Sequence, residues 1–489
     1  MVSTRLIVKN TKTKIVGRFP RVEVGEICTF RYKNAYFMKQ KMGGRHWDGN
    51  RSLFSLAYDT FPTGLIARVI LVLKEHDIDF VLDDQRKIYE SIRYNPISGL
   101  REYQEEIVKK ALNRSLMKIP FPRAVLKFDT GSGKTIIAVS LIQSLSRHGP
   151  VLFIVDSNDL LEQTREQFAS LLPQLSTTIF GGGVKDLSGK IVISTVQSLY
   201  SKYKNKDREM LLYIKKVKAL FVDEIHDFKS ANRYKLFMSI PAFARYYLSA
   251  TPFMHPTKAK NEDLLVVASC GELLSDRNIE SATRKKLVED NYLVPMTVLI
   301  MSIKKTRDKT LYNSKYPLAI RTCIEEDVDY HNLVMKCCKK LIKMKRNILI
   351  LVLRIKQGNN LSKVMTENGI SNVFLAGSSP QEERNSIKAE FRKGEKNFVI
   401  IATKIYDKGI DIPVIDAIIL AGPVKAYHRL KQRVGRGVRI AEGKRNCIIV
   451  DFFDSRNKYL YNHSGERFAY YRDESYTDIK VVSSKWLTT

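Results

Sequence analysis

A glycine-rich segment, Asp129-Thr130-Gly131-Ser132-Gly133-Lys134-Thr135, follows the apolar run Ala124–Phe128 and precedes the helix-like stretch Ile136–Leu145. Glycines let the backbone turn so that successive N–H groups and a helix N-terminus face phosphate groups. In this pattern Lys134 reaches the β- and γ-phosphates, and the Thr135 hydroxyl binds Mg²⁺. The segment therefore predicts an ATP-binding phosphate loop. Phe128 takes the place of the first glycine of the general pattern, so a bulky ring must pack where a small residue is usual.

A second candidate site follows another apolar run, where Leu220-Phe221-Val222 is succeeded by Asp223 and Glu224. Asp223 can hold Mg²⁺, and Glu224 can orient and deprotonate an attacking water. An acidic loop after a strand would be the ordinary interpretation of these residues alone. Because Lys134 lies 89 residues before Asp223, the pair of segments favours nucleotide hydrolysis.

Two series of short apolar runs alternate with helix-like stretches, as is typical of parallel sheets buried on both faces. Two such series predict two α/β domains in tandem. Residues 1–95 differ, with predicted strands at Arg5–Lys9 and Phe30–Met38 and a predicted helix near Gly64–His76. The first series is Ala124–Phe128, Val151–Val155, Ile191–Ser194, Ala219–Val222 and Tyr246–Ser249. The second is Asn347–Leu353, Asn372–Ala376, Phe398–Ala402, Ala417–Leu420 and Cys447–Val450.

The charge balance points to a polyanionic partner. The 489 residues include 82 Lys+Arg and 51 Asp+Glu, a formal net charge of +31, and such a surplus most often serves nucleic acid. Residues 1–53 hold twelve basic and three acidic side chains among several aromatic ones. This mixture suits unpaired or branched nucleic acid, although a small domain with an aromatic core explains it too. Leu333–Arg346 carries six basic and no acidic residues at helical spacing, which indicates a solvated helix face.

Several function classes are excluded by what the sequence does not contain. The apolar runs fall short of the roughly 20 residues of a membrane span. Basic residues stand where a secretory signal would be apolar, so secretion is not expected. The six cysteines show no zinc or disulfide spacing, which suits a reducing compartment.

Further motifs stand in a fixed order over residues 98–455, and with them the sequence resembles a superfamily 2 helicase of the DExH type. Its motif II is Asp223-Glu224-Ile225-His226. The other matching segments are Leu100–Gln104, Ser249–Pro252, Ile400–Thr403 through Gly409–Pro413, and Gln432–Arg439.

This resemblance implies an α/β fold with two tandem RecA-like, doubly wound parallel-sheet domains, preceded by a small basic α+β N-terminal domain. The expected divisions are a DNA-binding accessory domain (1–95), a first RecA-like domain (96–255), a helical linker (256–296), a second RecA-like domain (297–455) and an aromatic tail packed on the motor (456–489).

The resemblance also implies a role for each matching residue, with ATP and Mg²⁺ as cofactors. The catalytic set is Glu224, Lys134, Gln432, Arg436 and Arg439, of which the arginines would close onto the γ-phosphate from the second domain. The nucleotide would be held by Arg101, Gln104, Thr130, Gly131, Ser132, Gly133, Lys134, Thr135, Gly409 and Asp411, and Mg²⁺ by Thr135 and Asp223. His226, Ser249 and Thr251 would couple ATP to nucleic acid.

Nucleic-acid contacts are expected from short or glycine-rich segments whose backbone can approach a phosphate. These are Gly181, Gly182, Ser194, Thr195 and Thr403, with an ordinary turn as the alternative for the glycines. Arg45 and Trp47 stand in a loop, Gly43–Gly49, that could present both side chains to DNA.

The stretch Trp47–Phe54, followed by the helicase motifs, is similar to the UvsW-type helicases of bacteriophages. That likeness implies remodelling of forked or four-way DNA in recombination, repair or replication, with recombination or replication proteins as partners. It also implies action in the cytoplasm of the host bacterium. The alternatives are a duplex-DNA translocase of a restriction system, an RNA helicase, and a non-motor annealing protein with a vestigial nucleotide site. Lys134 and Glu224 disfavour the last of these.

Overall fold

The computed structural model describes residues 4–488 except 34, 37–38, 40–46, 87–91, 229, 254–260, 377–378, 380–397, 404–413, 424–429, 432–433, 436, 474–477 and 484. The chain forms two units. The first comprises Met1–Asp129 and Gly133–Thr283, and the second comprises Thr130–Ser132 and Arg284–Thr489. No helix within the described ranges is long and apolar enough to cross a membrane.

The N-terminal part of the first unit is a mixed four-stranded sheet with a helix packed on it. Its order is β5-β2-β1-β6, with β1 and β6 parallel and the other pairs antiparallel. Beyond β3 the predicted strand Phe30–Met38 is wrong, because the chain turns there and Ala35 N donates to Tyr32 O over 3.1 Å. The elements are β1 (Thr4–Val8), β2 (Lys12–Val16), α1 (Arg21–Ile27), β3 (Thr29–Arg31), β4 (Asn50–Ser52), β5 (Thr60–Pro62), α2 (Ile66–Glu75) and β6 (Phe80–Asp84).

This N-terminal sheet shares one hydrophobic core with the following α/β part of the unit. Arg68 binds Glu272 with two hydrogen bonds of 2.6 and 3.2 Å, and the side chain of Asn10 donates to Pro241 O over 2.8 Å. Gly64 lies so near the backbone of Val267 that a Cβ there would collide with its carbonyl oxygen. The described residues between 4 and 86 are therefore an integral layer of the first unit.

The first unit's main sheet has eight strands in the order β12-β11-β13-β10-β14-β15-β9-β16, all parallel except β12. The five predicted strands are present, because their apolar residues are buried on both faces as a parallel sheet requires. The eight strands are β9 (Arg123–Lys127), β10 (Val151–Val155), β11 (Thr177–Gly181), β12 (Val184–Lys185), β13 (Ile191–Thr195), β14 (Ala219–Val222), β15 (Ala244–Ser249) and β16 (Leu273–Ser275). Two short strands, β7 (Ser115–Leu116) and β8 (Ile119–Pro120), form a separate antiparallel pair. The helices are α3 (Glu102–Leu112), α4 (Lys134–Leu145), α5 (Asn158–Leu171), α6 (Val196–Lys204), α7 (Arg208–Lys216), α8 (Ala231–Ser239) and α9 (Asp263–Ser269).

The segment 256–296, predicted as a linker, belongs largely to the two units themselves. Helix α9 is buried, and β16 extends the first sheet by pairing with β9. A further helix, α10 (Arg284–Glu289), begins the second unit. A linker would not bury apolar residues in this way. The run of apolar residues Leu264–Ala268, which is buried, already indicates in the sequence that this segment is part of a core.

The second unit is built around a seven-stranded parallel sheet, whose strands lie in the order β19-β20-β18-β21-β22-β17-β23. Its five predicted strands are present, and the aromatic tail contributes one helix packed on β22 and one edge strand, β23. The strands are β17 (Met296–Ile303), β18 (Ile348–Leu351), β19 (Val373–Leu375), β20 (Val399–Ala402), β21 (Ala417–Ile419), β22 (Cys447–Asp454) and β23 (Asp478–Val482). The helices are α11 (Lys309–Asn313), α12 (Tyr316–Ile320), α13 (Val328–Lys343), α14 (Ile355–Glu367), α15 (Lys458–Asp473) and α16 (Lys485–Thr488).

Candidate nucleotide and nucleic-acid sites

The phosphate loop lies between β9 and α4, as the sequence predicts. Gly131 and Gly133 have φ angles of 91° and 74°, in the left-handed region that glycine adopts without a steric penalty. The ammonium group of Lys134 donates to the carbonyl oxygens of Phe128 and Asp129 over 3.3 and 3.2 Å. The Phe128 ring is buried in the core, so the bulky residue at the loop entry packs inward and leaves the loop clear.

The segment Leu100–Gln104, which holds two residues expected to bind the nucleotide, lies against this loop. Gln104 is buried in the first turn of α3, and a Cβ at Gly133 would collide with its Nε2 atom. The Gln104 Oε1 atom accepts from Arg101 N over 3.1 Å, which fixes the orientation of the amide. Tyr103 was not singled out from the sequence, yet its hydroxyl lies 3.4 Å from both Gln104 Nε2 and Arg101 Nη1. Tyr103 thus positions the two predicted nucleotide-binding residues.

The acidic pair follows β14 at the carboxyl edge of the sheet. Asp223 N donates to Ile154 O over 2.8 Å, which holds the start of the loop against neighbouring strand β10. Glu224 has a φ of 47°, which is uncommon for a residue with a side chain. Such a conformation persists only where the surrounding structure holds it, and it frequently marks a functional site.

Three polar side chains meet at the ends of β14 and β15. The Ser249 hydroxyl donates to Glu224 Oε2 over 3.2 Å. His226 Nδ1 lies 3.2 Å from the same carboxylate oxygen and 3.0 Å from Ser249 Oγ. Ser249 Oγ also accepts from Thr251 N over 3.0 Å. The predicted coupling residues are therefore joined to Glu224 by one continuous hydrogen-bond network.

The electrostatics of the two carboxyl groups differ. Burial and the negative charge of Glu224 raise the pKa of Asp223, against the opposing charge of Lys134. Burial alone would raise the pKa of Glu224, but the hydrogen bond and charge of His226, together with Lys134, outweigh it and lower this pKa. Glu224 is thus ionised at neutral pH, and Lys134 acts on both carboxyl groups.

The donor set fits Mg²⁺ that arrives with a nucleotide. Mg²⁺ is usually held by one or two protein groups, several waters and phosphate oxygens. Thr135, in the first turn of α4, and Asp223 supply one hydroxyl and one carboxylate. No group of three or more His, Cys, Asp or Glu side chains that could hold a metal ion occurs in the described part of the chain.

The residues predicted to contact nucleic acid in the first unit have mixed environments. Gly181 ends β11, and Gly182 and Gly183, with φ angles of 60° and 94°, form the exposed turn to β12. Ser194 is fully buried and its hydroxyl donates to Phe180 O over 2.5 Å, so this hydroxyl does not face solvent. Thr195 is also buried and caps α6 by accepting from Ser198 N over 3.2 Å.

Trp47 lies in a compact turn of the N-terminal part. Its indole N–H donates to Asn50 O over 2.8 Å, and its ring centroid is 5.8 Å from that of Tyr32. The Tyr32 hydroxyl in turn accepts from Arg51 over 2.9 Å. Trp47 is half-buried, and Arg51 approaches the Tyr32–Trp47 pair at the Tyr32 hydroxyl. The neighbouring prediction, Arg45, lies outside the described residues.

In the second unit Thr403 directly follows β20 and is buried, with its N–H donating to Leu375 O over 3.2 Å. Arg439 is half-buried and follows Val438, whose carbonyl accepts from Val294 N over 3.0 Å. A Cβ at Gly437 would lie 2.6 Å from Cys447 Sγ, so glycine lets this segment pack closely on β22. The predicted residues Gln432, Arg436, Gly409 and Asp411 lie outside the described residues.

Two family descriptions match the chain in tandem. "Type III restriction enzyme, res subunit" matches residues 97–254, and "Helicase conserved C-terminal domain" matches residues 333–441. Each match falls on one of the two large parallel sheets, which confirms the predicted pair of RecA-like domains. The two matches in this order support the assignment to superfamily 2 of the helicases.

Known proteins with the same domains share little sequence with this chain. Helicase 22 of Sulfolobus islandicus filamentous virus is 26% identical over 69% of this chain, which spans 60% of that relative's length. The DNA-bound restriction-modification enzyme LlaBIII aligns over 85% of this chain and 34% of its own, with 16% identity and a TM-score of 0.56, so it shares the fold. T4 UvsW aligns over 99% of this chain and 100% of its own at 16% identity, but a TM-score of 0.45 supports no conclusion.

Proposed function

We propose that the protein is an ATP-dependent DNA helicase or translocase that remodels branched DNA. The observation that carries the proposal is the hydrogen-bond network of Glu224, His226 and Ser249 at the ends of β14 and β15. Lys134 of the phosphate loop favours the ionised form of both Asp223 and Glu224 through its positive charge. A loop that merely bound phosphate would need no ionised carboxylate held in a left-handed conformation.

In this proposal each group acts on one part of Mg·ATP. The loop amides and Lys134 bind the β- and γ-phosphates. Thr135 and Asp223 hold Mg²⁺, which neutralises charge on the phosphate oxygens when bound. Arg101 and Gln104 read the base. Glu224 orients the attacking water and accepts its proton.

The second unit would supply the arginines. Planar guanidinium groups stabilise the charge that spreads over the γ-phosphate oxygens in phosphoryl transfer. We assign this role to Arg439 and Arg436 with Gln432, and nucleotide contacts to Gly409 and Asp411. Ser249 and Thr251, through His226, would report the state of the γ-phosphate to the nucleic-acid contacts.

The nucleic-acid contacts would be made mainly by backbone groups, at Gly181, Gly182, Thr195 and Thr403. Because the Ser194 hydroxyl is buried and already bonded, Ser194 would act by positioning its neighbour. Contacts of this kind bind phosphates and carry no sequence information.

Branched DNA as the substrate is supported by the N-terminal part. Its basic residues and the half-exposed Trp47 ring form the combination of cations and stacking surfaces that unpaired nucleic acid uses. The likeness of Trp47–Phe54 and the following motifs to UvsW-type helicases favours forks and four-way junctions. Phage recombination or replication in a bacterial cytoplasm would be its setting.

A duplex-DNA translocase of a restriction system is the second candidate. It is favoured by the match of residues 97–254 to the restriction-enzyme family description. Translocation without strand separation would distinguish it from a helicase.

The decisive experiment measures ATP turnover and strand separation on single-stranded, duplex, forked and four-way DNA and on RNA. We expect forked and four-way DNA to give the highest strand separation, and Glu224→Gln to reduce turnover by about 10²- to 10⁴-fold while ATP binding persists. Glu209→Gln, an exposed change on α7, is the matched control. Preference for RNA, or turnover by Glu224→Gln equal to the parent's, would refute the assignment.

A further inference from the structure

The outer face of α13 is a stripe of lysines. Val334, Cys337, Cys338 and Leu341 are buried in the core of the second unit. On the opposite side Lys336, Lys339 and Lys343 are exposed and Lys340 is half-buried. At 1.5 Å per residue the stripe from Lys336 to Lys343 is about 10 Å long.

Several lysines on the chain's other helices lie next to an acid one turn away, and the α13 lysines do not. The helical ion pairs are Lys109–Glu105, Lys110–Glu106, Lys285–Glu289, Lys286–Asp290 and Lys363–Glu367. Within the described part of the chain no acid lies within ion-pair distance of the α13 lysines, and Lys339 donates only to the Asn368 amide oxygen at 3.3 Å. Like charges three and four residues apart destabilise a helix. A bound polyanion would remove that repulsion.

The stripe runs towards the amino edge of the second sheet, which is the edge where its parallel strands begin. At the start of α13 the Tyr330 hydroxyl donates to Ala421 O, just after β21 ends. Beyond the end of α13, Arg346 donates to Asp416, just before β21 begins. The helix is therefore antiparallel to the strands. Thr403, at the carboxyl end of β20, lies at the opposite edge from Lys343.

More basic side chains continue the surface at this amino edge. Exposed Lys345 follows the helix, and exposed Arg445 precedes β22. Arg346 brings these two segments together, because it donates to the Asn446 side chain over 2.7 Å. We call Lys336, Lys339, Lys343, Lys345 and Arg445 the amino-edge basic face.

The types of side chain on this face indicate which kind of partner it can bind. Between Leu333 and Lys343 the exposed residues are all lysines, without an aromatic ring on which an unpaired base could stack. Membrane-surface helices also present large apolar residues beside their cations, and these are missing from the same stretch. Beyond this stretch, Met344 between Lys343 and Lys345 is exposed, but lysines still predominate. Phosphates of duplex DNA, whose bases are already paired, fit a face whose exposed side chains are mainly cationic.

We propose that the amino-edge basic face binds a duplex DNA arm through its phosphates, as a contact separate from the predicted motor contacts near Thr403. The inference rests on the proposed function in one respect, that the protein acts on DNA. A branched substrate has more than one duplex arm, so this face would hold one arm while the motor engages another.

The test compares the full-length triple variant Lys336→Gln, Lys339→Gln and Lys343→Gln with a control that removes the same charge elsewhere. Lys204→Gln, Lys215→Gln and Lys216→Gln change three exposed lysines on α6 and α7. Glutamine has nearly the helix propensity of lysine, and equal unfolding midpoints would verify that each variant is folded. Duplex and single-strand binding are measured over a range of salt concentrations without ATP.

For duplex DNA we expect the slope of log affinity against log salt to fall by about 0.9 for each lost contact, or about 2 to 3 in total. Affinity in 0.15 M salt should fall by roughly tenfold to hundredfold, and single-strand binding should change less. The control should keep the parent's slope. A slope and an affinity for duplex DNA equal to the parent's would overturn the proposal, as would an equal loss in the control variant. If the parent protein did not hydrolyse ATP, the proposed function would be refuted, but the conclusion about duplex binding by this face would still hold.

Discussion

The Ser249 hydroxyl, at the end of β15, donates a hydrogen bond of 3.2 Å to the carboxylate of Glu224, just beyond the end of β14. The two strands are neighbours in the sheet, although 25 residues separate Ser249 from Glu224 along the chain. His226 lies within hydrogen-bond distance of both atoms. The group proposed to activate water is thus connected directly to the segment proposed to transmit the nucleotide state.

Ser249→Ala should separate ATP hydrolysis from strand separation. The substitution removes the donor to Glu224 and the acceptor for Thr251 N, but leaves the Glu224 carboxylate in place. We expect ATP turnover to stay within about tenfold of the parent's, because one neutral hydrogen bond contributes about 1 kcal/mol, while strand separation per ATP falls further. Ser239→Ala on α8 is the control. Equal losses in both activities would contradict a coupling role.

Gly133→Ala should abolish tight ATP binding without unfolding the protein. The φ of 74° at this position costs a side-chain residue about 1 to 3 kcal/mol, and the new methyl group would collide with Gln104 Nε2. Calorimetry should show ATP affinity reduced by about tenfold or more. Gly25→Ala, with open space around its Cβ, is the control. ATP affinity of Gly133→Ala equal to the parent's would contradict the requirement for this backbone conformation.

The contact between Arg68 and Glu272 should stabilise the docking of the N-terminal layer. Both side chains are half-buried and their pairing is bidentate. A double-mutant cycle with Arg68→Ala and Glu272→Ala should give a coupling free energy of about 1 kcal/mol in chemical unfolding. Additive effects would show that the pair contributes nothing.

Deleting residues 1–95 should yield insoluble protein, because the deletion exposes the core that this layer shares with α8 and α9. Forked-DNA binding is therefore tested better by Trp47→Ala, which is half-buried and leaves that core intact. We expect it to weaken binding to forked DNA more than to linear single strands. Equal loss on both would contradict junction recognition.

The second unit should lose stability below about pH 6.5 through His331. Burial lowers the pKa of His331, against the opposing effect of the Ile324 carbonyl 2.9 Å from Nε2. A histidine with a lowered folded pKa is protonated more readily in the unfolded chain, so its stabilising contribution is present above the unfolded pKa and is lost as pH falls. As pH falls below the unfolded pKa, the free energy of unfolding of the parent should decrease by up to about 1.4 kcal/mol per pH unit more than that of His331→Gln. Exposed His76→Gln is the control, and identical pH profiles would contradict the expectation.

Local features were predictable from the sequence because contiguous residues determine them. The strand–loop–helix around Lys134 and the buried strands depend on glycine conformation and on runs of apolar residues. The position of Lys134 and Thr135 between a strand and a helix was predictable for the same reason, and their roles stay predictions. Phe128 could not be judged from the sequence, since the direction in which its ring packs depends on the core.

Only the tertiary structure decided how distant segments combine. Strand order in a sheet depends on packing between elements. The contact between Glu224 and Ser249 could therefore be expected from the family resemblance, but the spacing of the two residues along the chain does not determine it. The same applies to the N-terminal layer, whose apolar face has no core of its own and is completed by α8 and α9. Likewise, the sequence predicted a solvated lysine face on α13. The fold alone placed those lysines at the edge of the sheet opposite the predicted motor contacts, because α13 is antiparallel to the strands.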